Sequence, residues 1–296
     1  MFRINQFIGI VTFCPLFCFF SLIGGMAIAQ NQIPAKLTNT VFIEHLNADP
    51  SYIRQKNALT AKYSKNRSGR WGEFVKGVCE DLKTDKKIVA FTFDACGGEK
   101  GTDYDKELID FIRKERIPAT IFVTGRWIDN HYSEFLNLAG DTLFEIENHG
   151  LNHRPCSVSG KSVYGIRGTA NAAEAFDEVE GNALKIEAIT GRRPNFYRSA
   201  TAFIDEPGAS MVRDLSITPI SYQVLSGDAS PTVSKNSIVK NVLDTVRPGA
   251  VIIMHMNHPQ WQTFEALQKI VPELRKNGYR FAHLNQYKLI DRRGNN

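Results

Sequence analysis

From Lys87 onward two kinds of apolar pattern alternate along the chain. Short β-rich runs read as strands: "KIVAFTF" (87–93), "ATIFVTG" (119–125), "TLFEIENHG" (142–150), "TPISYQVL" (218–225), "GAVIIMHM" (249–256) and "YRFAHL" (279–284), with "FYRSA" (196–200) as a further strand end. Between them lie segments of helical period. "DYDKELIDFIRKERIP" (103–118) sets Leu108, Ile109, Phe111 and Ile112 near one stripe and ends at Pro118. "RWIDNHYSEFLNLAG" (126–140) reads as one helix closed by Gly140, and "GTANAAEAFDEVEGNALKIEAITG" (168–191) as a long helix capped by Gly191. Further helical stretches are expected around Glu206 to Leu215, Ser237 to Val246 and Thr263 to Lys276. Strands alternating with helices imply an α/β fold built on a parallel sheet or barrel. Several strand runs lack strict alternation, as expected where helices cover the sheet.

Ahead of this region the pattern differs. "MFRINQ" carries one positive charge, Arg3; an apolar run then extends from Phe7 to Met26 and closes on the small residues "AIA" (27–29). This is the pattern of an export leader, and it places cleavage before Gln30. The run is also near the length of a spanning helix, so an uncleaved anchor is the alternative. Residues 30–86 are polar and mixed and read as an N-terminal extension packing on the main domain, with residues 87–296 as that domain.

Composition narrows the function classes. Loss of the leader removes Arg3 and no acid, so Lys plus Arg falls from 36 to 35 against 31 Asp plus Glu, a net charge of +4. The charges are interspersed, and no basic run suggests a nucleic-acid partner. Outside the leader no segment is long and apolar enough to span a bilayer. Cys79, Cys96 and Cys156 remain after cleavage; the odd number allows at most one disulfide. There is no G-x-S-x-G elbow for a serine esterase, and the glycine patterns of dinucleotide and P-loop sites are missing.

The candidate chemistry gathers at strand ends. Asp94, His149, Arg198, Asp228 and His255 each end or follow a strand-like run. In a parallel barrel those ends meet on one face, where active sites form. His149 and His153, four residues apart in "NHGLNH", can turn both imidazoles toward one cation. His255 is suited to general acid work because imidazole titrates near neutrality; Asp228 could orient it, and Arg198 could fix the Asp94 carboxylate.

Taken in order, "FTFDACGG", "IPATIFVTGRW", "ENHGLNH", "FYRSATAF", "SGDAS" and "GAVIIMH" resemble the motifs of polysaccharide deacetylases, the NodB-homology domain of carbohydrate esterase family four. The resemblance extends from about Lys87 to Leu284. It implies a distorted (β/α) barrel and metal-dependent removal of acetyl groups from an amino-sugar polymer in the envelope or outside the cell. It also implies Asp94 as catalytic base, His149 and His153 as ligands of Zn2+ or another divalent metal, and Arg198 as the residue steadying the base. Asp228 would orient the catalytic histidine, His255.

Three departures stand out. Ala95 occupies the place of the family's aspartate ligand, "RSATAF" replaces an arginine followed by prolines and a tyrosine, and "SGDAS" lacks a following tryptophan. Three readings of Ala95 are open: weaker metal binding with activity kept, replacement of the carboxylate by Cys96 or His258, or a non-catalytic glycan-binding remnant. Strand alternation is expected to turn Cys96 away from the site unless the "CGG" turn redirects it. The backbone N–H groups around Ser199 to Thr201 are candidates for holding an oxyanion.

Overall fold

The computed structural model describes residues 38–65, 69–98 and 101–293. The leader reading, residues 1–29, lies outside the described residues. Two helices open the described chain, α1 (Asn39–Leu46) and α2 (Pro50–Tyr63). Two short strands follow, β1 (Trp71–Gly72) and β2 (Asp81–Leu82), each in its own two-stranded sheet with a later strand. Then come β3 (Ile88–Ala95), α3 (Lys106–Lys114), β4 (Ala119–Val123), α4 (Gly125–Asn130), α5 (Tyr132–Ala139), β5 (Phe144–Asn148) and α6 (Ala172–Thr190). The rest comprises β6 (Phe196–Tyr197), β7 (Ile204–Asp205), α7 (Glu206–Asp214), β8 (Thr218–Pro219), β9 (Val224–Leu225), α8 (Lys235–Thr245), β10 (Val251–His255), α9 (Thr263–Lys276), β11 (Arg280–Phe281) and β12 (Leu289–Ile290).

The central sheet is parallel in the order β8-β6-β5-β4-β3-β10-β9, with β11 added beside the start of β3. It is the curled, incomplete barrel expected from the sequence. Its two ends, β8 and β9, are not paired; the segment between them crosses the gap, with Ser221 N–H donating to the Cys79 carbonyl and Gln223 N–H to that of Val251.

Strand β3 shows why the sheet folds as it does. All eight of its residues are buried, so both faces are covered. Val89, Phe91, Phe93 and Ala95 join the outer core against α3 and α9, including Leu108, Ile112, Leu267 and Ile270. Ile88 and Ala90 belong instead to a smaller inner cluster with Phe122, Val251 and Leu284. Successive strand side chains alternate faces, so Asp94 is in phase with Ala90 and points inward. Helix α3 starts at Asp105, whose carboxylate accepts the Leu108 N–H at 2.9 Å. Helix α2 packs on α6 through Tyr52 against Phe176 and a 2.6 Å ion pair between Lys56 and Asp177.

Two elements depart from the sequence reading. The helix expected over 126–140 is two helices, broken at His131, where φ is −127° and ψ 46°. There the ring of His131 stacks on Trp127 and its Nε2 binds the Thr102 carbonyl, tying this corner to the loop after β3. The run "TPISYQVL" is two short strands on opposite edges of the sheet, because this segment crosses the barrel gap.

Candidate active site

Parallel register delivers the site. Asp94 lies beside His255 of β10 on one side and Phe122 of β4 on the other. Val123 aligns with Asn148, and Asn148 with Tyr197. The residues immediately past those strand ends, His149 and Arg198, therefore emerge at the level of Asp94.

Asp94 is the hub. Arg198 Nη1 donates to its Oδ1 at 2.8 Å, and His149 Nε2 lies 3.7 Å from Oδ2. Arg198 is fully buried. Its Nη2 donates to the Ser221 carbonyl at 2.9 Å, and the guanidinium lies 4.3 Å from the Phe122 ring centroid. Burial alone would raise the Asp94 carboxyl, but the charge of Arg198, with His149 and His255 nearby, outweighs it and holds the group below the usual carboxylate value.

A second dyad faces it. His255 Nδ1 lies 2.9 Å from Asp228 Oδ1, and the His255 backbone N–H donates to Oδ2 at 2.8 Å. Ser226 and Thr263 hydroxyls donate to the two carboxylate oxygens at 2.8 and 2.9 Å. Four donors thus fix a buried carboxylate, which holds the proton on His255 Nδ1 and leaves Nε2 for chemistry. Burial opposes the charged imidazole, but Asp228 outweighs it, so His255 titrates above its ordinary value. Ser226 and Thr263 were not legible as site residues in the sequence; both lie at short range from Asp228 or His255 along the chain, the one signal that could have marked them.

The histidine pair forms the third part. His149 Nδ1 lies 2.8 Å from the Arg198 carbonyl, an acceptor only, so Nδ1 carries the proton and the Nε2 lone pair faces inward. The His149 and His153 ring centroids are 5.0 Å apart. His153 Nε2 is buried without a hydrogen-bond partner, and burial, with His149 beside it, pushes His153 down to about 3. Among the described residues, Cys96, His149 and His153 bring one donor atom each within 4.8 Å of one another. A buried imidazole nitrogen with no partner and a neighbouring free lone pair fit a bound cation.

The loop that carries His153 is clamped from α6. Glu178 accepts the N–H groups of Asn152 and Arg154, at 3.0 and 2.9 Å, on either side of His153, whose φ is 56°. Gly150 makes this possible: a Cβ there would sit 2.4 Å from Glu178 Oε1. Sequence reasoning missed Glu178, which reads as one more polar position in a long helix.

The expectation that alternation turns Cys96 away is overturned. Cys96 lies two positions beyond Asp94 and is therefore on the same face; its Sγ is 3.7 Å from His149 Nε2. Ala95 is the residue that alternates outward, into the helix-covered core. His258 does not join the donor group; it stacks on Trp261 with centroids 3.5 Å apart. Cys79, Cys96 and Cys156 are all free thiols.

The curled parallel half-barrel matches the fold of solved family 4 carbohydrate esterases. The family model described as polysaccharide deacetylase matches residues 81–220. Over residues 81–220, just under half of its length, the chain carries a polysaccharide deacetylase domain, and its relatives support a NodB-homology protein of carbohydrate esterase family four. It is 24% identical over 276 residues to the peptidoglycan-N-acetylmuramic acid deacetylase PdaA of Bacillus subtilis, covering 92% of this chain and 94% of that protein. The solved structure of Bacillus subtilis PdaA, a family 4 carbohydrate esterase, superposes with a TM-score of 0.58 at 23% identity, over 79% of this chain and 88% of that one. A family pseudoenzyme from Bacillus anthracis superposes with a TM-score of 0.57 at 22% identity, over 69% and 66% respectively. These structural likenesses speak to the fold. The relatives include deacetylases of polysaccharides and peptidoglycan.

Proposed function

We propose that this protein is an exported, metal-dependent deacetylase that hydrolyses N-acetyl groups on an envelope or extracellular glycan. The observation that carries the reading is the placement of an ionised Asp94, locked to Arg198, beside a His255 held by Asp228. One group is kept ready to take a proton and the other to give one, with their titrations pushed apart by their surroundings.

Asp94 takes the proton of the attacking water as oxygen adds to the acyl carbon. His255 Nε2 then delivers a proton to the amide nitrogen as the carbon–nitrogen bond breaks, giving acetate and a free amine. Arg198 keeps Asp94 charged and aimed. The backbone of Ser199–Thr201, which turns through Thr201 at φ 61°, would lend N–H groups to the developing oxyanion. A divalent cation held by His149 and His153, zinc in this reading, would polarise the acyl oxygen and acidify a bound water.

Export is supported by the leader pattern, and the glycan substrate by the names of the relatives. Ala95 and the pseudoenzyme relative support a second reading, a glycan-binding protein without turnover. Acetate release from N-acetylated glycans separates the two. The wild-type protein should release acetate, and Asp94→Asn should lose at least about 100-fold in kcat with the circular dichroism spectrum unchanged. Retention of glycan with no acetate from either protein would establish the binding protein instead.

A further inference from the structure

Position 95 carries no ligand, yet the strand end still offers a third donor to the histidine pair. The turn after β3 is built to place it. Gly97 adopts φ 67°, and a Cβ there would fall 2.6 Å from the Trp127 nitrogen and 2.8 Å from Thr124 Oγ1. Thr124 Oγ1 donates to the Cys96 carbonyl at 2.9 Å and accepts the Trp127 N–H at 3.0 Å. Residue 96 is thus pinned between two elements, with its side chain toward His149.

The spacing is informative. Two ligands on one tetrahedral zinc, at bond lengths of about 2.0–2.3 Å, lie about 3.3–3.8 Å apart. Cys96 Sγ and His149 Nε2 are 3.7 Å apart. The full set, within 4.8 Å, closes onto one cation by small side-chain rotations, and His153 Nε2 has no hydrogen bond to give up. A neutral thiol donating to His149 would account for the contact at 3.7 Å but leaves the buried His153 nitrogen unexplained.

We propose that Cys96 supplies, as a thiolate, the third protein ligand beside His149 and His153. The centre is then a two-histidine, one-cysteine site that selects zinc and cobalt(II) over magnesium, calcium and manganese. This rests on the reading of the site as metal-dependent. The thiolate replaces the missing carboxylate from the next residue along and keeps its single negative charge. It leaves a fourth position open, as catalytic zinc sites do. What changes is selectivity: sulfur favours borderline and soft cations, whereas a carboxylate also serves hard ones.

The test uses the purified protein, freed of metal by chelator under reducing conditions and reloaded with Co2+ or Zn2+ alone. The Co2+ protein should show a near-ultraviolet thiolate-to-cobalt charge-transfer band that vanishes in Cys96→Ser and Cys96→Asp. Zinc affinity should fall in Cys96→Ala by at least the roughly 10–100-fold that loss of a supporting residue alone causes. Cys96→Asp, with its carboxylate, should bind manganese more tightly than wild type does. Circular dichroism confirms that each variant is folded. A cobalt spectrum without the band, or zinc affinity unchanged in Cys96→Ala, would overturn the proposal. Acetate release on the same samples keeps the two readings apart. Activity without the band removes the thiolate ligand and keeps the deacetylase; the band without activity does the reverse.

Discussion

Replacing Arg198 by Met in the metal-free protein isolates the interaction on which Asp94 depends. The pair is 2.8 Å long and both side chains are buried. At an effective dielectric of about 20, unit charges at that distance attract by about 6 kcal/mol, part of which offsets the desolvation of the guanidinium. Removing one partner of such a pair costs about 3–5 kcal/mol, because the other charge is left buried alone. The pH dependence gives the sharper signature. In the native protein Asp94 titrates below its unfolded value, so its contribution is present above the unfolded pKa and is lost as pH falls through the folded one. Without Arg198, burial, already the largest influence on Asp94, loses its main counterweight and lifts the folded pKa above the unfolded one. The ionised carboxylate then destabilises the fold, and a proton relieves it. Urea unfolding with chelator present should show a deficit of about 3–5 kcal/mol near pH 8 that narrows steadily toward about pH 5, with the m-value unchanged. A deficit under about 1 kcal/mol, or one that does not change with pH, would refute the ion-pair account.

Other outcomes follow from the same geometry. Asp228→Asn removes the charge that raises His255, so the alkaline limb of the pH–rate profile should move to lower pH and kcat should fall by about 100-fold or more; the limb is read from initial rates across pH. Glu178→Ala releases the Asn152 and Arg154 N–H groups, and with them the backbone of His153; zinc affinity measured by competition with a chromophoric chelator should drop by about 10–100-fold. Asp105→Ala removes the cap of α3 and should lower unfolding free energy by about 1 kcal/mol while leaving acetate release untouched.

The parts of the fold legible in the sequence were those with a long, repeated pattern. The existence of β3 follows from an unbroken apolar β-rich run, and the bounds of α9 follow from periodicity over fourteen residues. The break at His131 and the two-residue strands β8 and β9 have no such signal; a ring stack and the crossing of a barrel gap set them. The site residues at strand ends could be named because parallel barrels place those ends together. Their supports could not, since Glu178 and Ser221 act through contacts with segments distant in sequence. Cys96 was within reach: counting by two from Asp94 puts it on the site face.

Titration of Zn2+ into the chelated protein, with acetate release from N-acetylated glycans recorded at each step, tests the account at its centre. Release should be absent at the start, rise to a plateau at one equivalent of zinc, and fail to appear in His149→Ala. Undiminished release in chelator would contradict it, as would no release at any zinc content from a protein that still retains the glycan.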